Sequence, residues 1–224
     1  MAVLPVCPKV CSISFGENMA LSLATVGGKI TATFINLIIA QVNLNSVTRI
    51  IPTISSTGGT VAVSSTTGEI TGSGAITQIK VTIPSVSNYK QIRGRIQYIG
   101  GGSGSHTIKL ASAGTAEATA SSYRGQVVSA LGGTVAGVAL TPGTSWAPAG
   151  SRLERVRNFT IDNLADTEKT TWSEWGSDSD ASSNESTFQG VFRHTVSTAL
   201  DGFIYDFSSM GTFVELSIIL EGVQ

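Results

Sequence analysis

The sequence predicts an all-β fold built from antiparallel strands, with a β-rich arm at its N-terminus, and three observations support this. Charged residues make up 13% of the 224 residues, about half of the roughly 25% usual in globular domains. The chain is also rich in Ser and Thr and contains 25 Gly, a composition that favours strands and tight turns over helices. Several segments alternate apolar and polar residues with the period of two that strands require. We therefore expect less than about a tenth of helix, well below the usual third.

The first 70 residues carry the weakest patterns. Segments VCSISF and KITATFINLII are typical of strands, whereas residues 54–74 are nearly free of charge and rich in Gly, Ser and Thr. Residues 54–74 are expected to form either a flexible linker or a thin hairpin that pairs VAV with EIT. Strand-forming segments with little core patterning often become buried in an oligomer. We predict that residues 1–70 form an arm that packs on neighbouring subunits and that residues 71–224 form the main domain.

Two segments of the main domain, 76–84 and 91–99, alternate cleanly. Pro84 ends the first, and the Gly-rich turn 100–105 separates the second from another strand at 106–112. The polar positions of the second segment, among them Arg93 and Arg95, are expected to face solvent. The positions expected to face the core in the two segments are Ile79, Val81, Ile83, Ile92, Ile96 and Tyr98.

The rest of the main domain continues the same pattern. Residues 125–143 contain five Gly and many Val, which argues against a helix and predicts two strands joined near Gly132–Gly133. Four further strands are predicted at 158–162, 188–196, 202–207 and 212–222. Alternation of this kind is typical of antiparallel sandwiches and barrels, whose sheets bury one face and hydrate the other. Of the two we predict the β-sandwich.

Composition argues against two classes of partner. The net charge is −1, with no cluster of Lys and Arg that could displace counterions from a nucleic acid. The longest apolar run, at 34–40, is far shorter than the roughly 20 residues that span a bilayer. The N-terminus also lacks the apolar stretch of a secretory signal. We expect a protein made in a cytoplasm that binds neither nucleic acid nor membrane.

No residue pattern predicts catalysis, a metal site or a cofactor. The two histidines, His106 and His194, lie on predicted strands, where a structural role is more common than a catalytic one. Cys7 and Cys11 do not have the spacing of a zinc or redox pair. An EF-hand loop starting at Asp178 would need Gly and Glu where the chain has Ser183 and Gln189. We therefore predict that the protein is not an enzyme.

The stretch TWSEWGSDSDASSNESTF, residues 171–188, supplies the candidate contact surface. Two tryptophans three residues apart cannot share one face of a strand, so one is expected in the core and the other at the rim. Rim aromatics stack on sugar rings or anchor interfaces. Because the local sequence lacks cations, residues 177–186 are expected to be exposed in a connection between strands. The candidate surface and glycan-contact residues are Trp172, Trp175, Asp178 and Asp180.

The order of features in residues 85–224 carries a resemblance. SNYKQIRGRIQYIGG is followed by HTIKLAS, SSYRG, FTIDNL with KTTWSEW, FQGVFRHTV and a final strand ending in LEG. This order resembles the jelly-roll-type β-sandwich domains of tailed-bacteriophage virion proteins: tail fibres, head fibres and decoration proteins. The resemblance implies a structural protein on a virion surface, assembled in the host cytoplasm, that contacts other virion proteins, copies of itself (for example as a trimer) and host glycans.

Two other functions remain open. A stand-alone carbohydrate-binding β-sandwich needs exposed aromatics arranged on one face. A glycan hydrolase needs two carboxylates within about 5–10 Å of each other. The acidic residues are few and lie mostly beside turns, so the sequence favours a glycan-binding module over a hydrolase.

Overall fold

The computed structural model describes residues 11–14, 20–23, 46–100, 106–131, 134–146, 154–166, 169–179, 185–196 and 198–224. The chain divides into two compact units, Met1–Asn45 and Ser46–Gln224. In the first unit, strands β1 (Cys11–Ser14) and β2 (Ala20–Leu23) pair as an antiparallel hairpin.

The second unit contains the remaining fifteen strands of the described chain. Among all the residues that the structure describes, the only helical segment is a 3₁₀ turn at Val86–Asn88. No helix among them is long and apolar enough to cross a membrane. The strands are β3 (Val47–Arg49), β4 (Thr53–Thr57), β5 (Thr60–Val63), β6 (Ile70–Gly74), β7 (Gln78–Thr82), β8 (Gln91–Gly100), β9 (Thr107–Ser112), β10 (Thr115–Ala116), β11 (Tyr123–Leu131), β12 (Thr134–Gly143), β13 (Glu154–Asp162), β14 (Thr171–Ser179), β15 (Glu185–His194), β16 (Gly202–Asp206) and β17 (Phe213–Val223).

These strands form two antiparallel sheets. One has five strands in the order β10-β9-β16-β7-β4, and the other has ten, in the order β12-β11-β15-β14-β13-β8-β17-β6-β5 with β3 beside β17. Aromatic rings join the inner faces: the ring of Phe203 on β16 lies 5.9 Å from Phe159 on β13 and 5.2 Å from Trp172 on β14. The all-β antiparallel sandwich predicted from sequence is confirmed.

The core follows the predicted alternation. The six positions that were expected to face inward, on β7, on β8 and at Ile83, are all buried. Arg93 and Arg95 face solvent, as expected. Strands β11 and β12 also confirm the two strands predicted in residues 125–143, while their junction at 132–133 lies outside the described residues. The period-two pattern is reliable in these strands because only one of their faces meets the other sheet.

The division of the chain differs from the predicted boundary near residue 70. Strands β3, β4 and β5 pair with β17, β7 and β6, so residues 46–70 belong to the sandwich unit. Ile50 and Ile70 are buried in its core. The pattern here is weak because β4 and β5 are edge strands, whose residues are mostly exposed on both faces. The assembly role of an N-terminal arm stays a prediction, and residues outside 11–14 and 20–23 of the first unit are not among those described.

Candidate binding groove and a buried charge cluster

The outer face of the ten-stranded sheet carries an open groove. Alternation along β8 turns Ile92 and Ile96 inward and Arg93 and Arg95 outward, and the same rule turns Trp175 of β14 outward. The groove has a volume of about 560 Å³. It is lined by Arg49, Gln91, Arg93, Gly94, Arg95, Asn158, Phe159, Thr160, Trp175, Ile219 and Glu221.

Strand register brings the central groove residues into one row. Arg95 is the register partner of Asn158 on β13, and Asn158 is the partner of Trp175 on β14. On the other side of β8, Ile219 of β17 is the partner of Arg95. Because neighbouring strands lie about 4.8 Å apart, the backbones of Arg95 and Trp175 are separated by about 10 Å. The row thus places an aromatic ring, an amide and a guanidinium side by side.

The groove is positively charged on a protein whose net charge is −1. Its lining includes three arginines and one carboxylate, Glu221, which gives a local charge of +3 − 1 = +2. Glu221 forms an ion pair with Arg49 at 3.4 Å. In the described part of the chain, no carboxylate forms an ion pair with Arg93 or Arg95.

Two of the three groove arginines, Arg93 and Arg95, are held by glutamines of their own strand. Arg93 Nε donates a hydrogen bond to Gln91 Oε1 at 2.8 Å, and Arg95 Nη2 donates to Gln97 Oε1 at 3.1 Å. Gln91 is itself fixed, because its Nε2 donates to Asp162 Oδ1 at 2.8 Å. A guanidinium has five N–H donors, so each arginine keeps donors for a ligand while its orientation is restricted.

The two tryptophans lie on opposite faces of β14, as their spacing predicted, but Trp175 is in the middle of an interior strand and not at the rim of the sheet. Trp175 is 44% exposed and lies on the groove. Trp172 is 0% exposed, and its ring stacks on Phe159 with centroids 4.5 Å apart. Trp172 was named as a candidate surface contact, and this is wrong: it is a core residue. Trp175 remains a candidate surface-contact residue.

Asp178 was also predicted to be exposed, and this is wrong. Residues 171–179 and 185–194 are the paired strands β14 and β15 rather than a long connection, and Asp178 is only 4% exposed. Alternation turns it inward together with Trp172 and Glu174. Ser186, within the stretch expected to be exposed, is buried too. Asp180, the fourth candidate, lies outside the described residues.

The cations that make this burial possible come from the neighbouring strand. Arg155 of β13 is the register partner of Asp178, and Arg157 lies two residues further along. Arg157 donates to both carboxylate oxygens of Asp178, with an Nε–Oδ1 distance of 2.8 Å. Arg155 Nε lies 3.2 Å from Asp178 Oδ1. A bidentate guanidinium–carboxylate contact is among the strongest polar contacts in proteins.

Glu174 and His106 complete the buried charge cluster, which we define as Arg155, Arg157, Asp178, Glu174 and His106. Arg157 Nη1 lies 3.7 Å from Glu174 Oε1, and Arg155 Nη1 lies 2.8 Å from His106 Nδ1. Because a guanidinium can only donate, the Nδ1 atom of His106 accepts this hydrogen bond. All five side chains are buried, so a substrate in solution cannot reach them.

Burial governs protonation within this cluster. Desolvation raises the pKa of Glu174, and the positive charges of Arg157 and Arg155 oppose that rise. Desolvation lowers the pKa of His106 well below its usual value, and both arginines lower it further. His106 is therefore neutral at neutral pH, which agrees with its acceptor role. His194 is buried as well, with its ring 4.8 Å from that of Tyr123, which fits the structural role expected for it.

Metal ligands do not gather in the described ranges, where no three His, Cys, Asp or Glu side chains could hold an ion together. The carboxylates of the cluster instead face guanidinium groups, which take the place that a cation would need. Of the residues in the groove row, sequence reasoning named Trp175 as a contact residue but missed Arg95, Asn158 and Ile219. Arg95 was assigned to an outer face, but its position beside Asn158 and Trp175 depends on a register that alternation does not reveal.

Comparison with known proteins adds little to this description. No protein-family model and no curated protein matches the chain. Among solved structures, the chain is similar to the carbohydrate-binding module CBM66 from Bacillus subtilis. The two share 9% identity with a TM-score of 0.36, over 76% of this chain and 92% of the module. A likeness at this level carries no argument about function.

Proposed function

We propose that the protein is a non-enzymatic β-sandwich that binds a glycan in the groove on the outer face of its ten-stranded sheet. The observation that carries this proposal is Trp175, a large aromatic side chain that is 44% exposed at a groove otherwise lined mainly by polar side chains. An exposed tryptophan at a groove offers a flat apolar face on which a ligand ring can stack.

The groove has the chemistry that a sugar requires. The C–H face of a sugar ring is apolar and stacks on an aromatic ring, whereas the hydroxyl groups around its edge need hydrogen-bond partners. Trp175 offers the first contact, and Asn158, Thr160 and Gln91 offer the second. The groove volume falls within the range of about 300–1,000 Å³ that is usual for small-molecule sites.

The carboxylates argue against glycan hydrolysis. Hydrolases that use a pair of acids need them about 5–10 Å apart on either side of the scissile bond. Among the lining residues Glu221 is the single acid, and it is engaged with Arg49. The buried carboxylates Glu174 and Asp178 lie on the opposite, inner face of the sheet. Binding without cleavage is therefore the function that the groove supports best.

The virion role inferred from the resemblance stays a prediction, together with the homo-oligomer and the location on a particle. A glycan-binding groove suits a virion surface protein and a stand-alone binding module equally. The proposal about the groove does not depend on which of the two is correct.

The test is binding of the full chain to an array of oligosaccharides, followed by calorimetric titration of the best ligand. We expect Trp175→Ala to weaken binding by about 5- to 150-fold, if a sugar ring gains from stacking on the indole the roughly 1–3 kcal/mol that a nucleic-acid base gains. Trp175→Phe should restore part of the affinity. Val135→Ala removes an exposed apolar side chain that does not line the groove and should leave binding unchanged. Unaltered binding by Trp175→Ala, or no binding of any saccharide, would refute the proposal.

A further inference from the structure

We infer that the glycan bound by the groove is acidic: Arg95 binds a carboxylate carried by the sugar that stacks on Trp175. This inference rests on the proposed function and adds the class of ligand to it. Its basis is the charge of the groove, the register that places Arg95 near Trp175, and the interactions of each groove arginine.

The charge of the groove has the sign that an anionic ligand needs. The lining carries a local charge of +2, although the chain as a whole carries −1. Neutral sugars need hydrogen-bond donors and acceptors but no net charge. Two arginines without an ion-pair partner in the described chain, held on one strand and facing one groove, instead match a ligand with a negative group.

Arg95 is better placed than Arg93 to bind that group. The register partner of Arg93 on β17 is Glu221, a carboxylate that opposes an approaching anion. The register partners of Arg95 are Asn158 and Ile219, which are both uncharged. Repulsion by Glu221 is therefore weaker at Arg95, and Arg95 also shares its row with Trp175. We expect Arg93 to contribute through longer-range attraction alone.

A carboxylate fits the donors better than other anions do. The planar guanidinium fork matches the two oxygens of a carboxylate in a bidentate contact. Asn158 lies between Arg95 and Trp175 and can bond a hydroxyl of the same sugar. A sulfate ester or the phosphates of a single-stranded nucleic acid would meet the same charge. The low overall basicity argues against nucleic acid, which is retained through many phosphate contacts.

The experiment compares matched ligands on the full chain. The probes are uronate-containing and sialylated oligosaccharides, the same oligosaccharides after reduction of their carboxyl groups, sulfated oligosaccharides and a single-stranded oligonucleotide. We expect the best carboxylated ligand to bind at least about tenfold more tightly than its carboxyl-reduced form, because charged hydrogen bonds are stronger than neutral ones.

Three variants assign this preference to a residue. Arg95→Gln should bring the Kd values of the carboxylated and reduced ligands to within about twofold of each other while leaving the Kd of the reduced ligand nearly unchanged. Arg93→Gln should reduce the preference by a smaller factor. Arg193→Gln, which removes an exposed arginine that does not line the groove, should leave it unchanged.

The outcomes separate this inference from the proposed function. Saccharide binding that depends on Trp175 but shows no preference for carboxylates, or a preference that survives Arg95→Gln, would overturn the inference and leave the proposed function standing. Binding of sulfated but not carboxylated ligands would have the same effect. Failure to bind any saccharide, or Trp175-dependent binding of the oligonucleotide alone, would overturn both.

Discussion

Asp178 shows how a residue's environment can differ from the one its own segment indicates. The neighbouring sequence is acidic and lacks cations, so exposure was the natural expectation. The cations lie more than twenty residues away along the chain, but they are adjacent in the sheet, because register pairs Arg155 with Asp178. Arg157 also stacks on Phe188, with its Cζ 3.4 Å from the ring centroid. The buried charge cluster therefore joins strands β13 and β14, and the contact between Arg157 and Phe188 links it to β15.

Replacing Asp178 with Asn should strongly destabilise the protein. The substitution leaves Arg155 and Arg157 buried with one countercharge fewer, and removing one partner of a buried ion pair typically costs about 3–5 kcal/mol. The free energy of unfolding in urea measures the loss. Glu215→Gln neutralises an exposed acid on β17 and should change stability by less than about 0.5 kcal/mol. An equally small change for Asp178→Asn would show that the ion pairs contribute nothing.

Glycines that lie opposite aromatic residues help neighbouring strands of the sandwich to pack, in addition to the ion pairs. Gly94 on β8 is the register partner of Phe159 on β13, whose ring lies over the glycine. A Cβ atom at position 94 would lie 2.1 Å from Cζ of that ring. The same arrangement recurs between Gly125 on β11 and Phe192 on β15, where the distance would be 2.6 Å. In each case the missing side chain provides the space that an aromatic ring on the next strand fills.

Gly94→Ala should therefore destabilise the sheet, with a cost of about 1–3 kcal/mol as for other overpacked cores. Gly137→Ala is the matched control on β12, because a Cβ atom there would meet nothing nearer than Val128 Cγ2 at 3.9 Å. Thermal unfolding followed by far-UV circular dichroism compares the melting temperatures of the two variants. Equal melting temperatures for both variants would mean that Phe159 can move without loss of packing.

The strands that sequence reasoning found and those it missed differ in one physical respect. Strand β8 was predicted because its inward positions are apolar and its outward positions are polar. Strand β14 was missed beyond its tryptophans because Glu174 and Asp178 occupy inward positions, which makes both faces polar in the sequence. Strand β5 was predicted only as one of two alternatives, and β4 was not predicted, because edge strands bury little on either face. Alternation identifies a strand only when burial differs between its faces.

At the scale of the whole molecule, the fold class was predictable and the functional site only in part. Composition and alternation were sufficient for an antiparallel sandwich, because both reflect local backbone preference and one-sided burial. The groove required more, since Trp175, Asn158 and Arg95 come from three strands and meet only through register. The placement of the two tryptophans on opposite faces of one strand was the only part of the site that the local sequence could predict.

The division of the molecule into units gives a prediction about truncation. Residues 46–224 form one compact unit, and the core residues that the structure describes begin with Ile50. We expect a protein consisting of residues 46–224 to fold and to unfold cooperatively, with the strand content of a sandwich.

A shorter protein consisting of residues 71–224 should behave differently. It lacks β3, β4 and β5, so β7 loses its edge partner and β6 loses β5. It also lacks Ile50 and Ile70, and loss of one buried isoleucine side chain alone costs about 2–5 kcal/mol. Urea unfolding of both proteins, followed by tryptophan fluorescence, measures the difference. A clearly lower midpoint, or no cooperative transition, is expected for 71–224. Equal urea midpoints would instead support a domain boundary near residue 70, with β3, β4 and β5 in an arm outside the core.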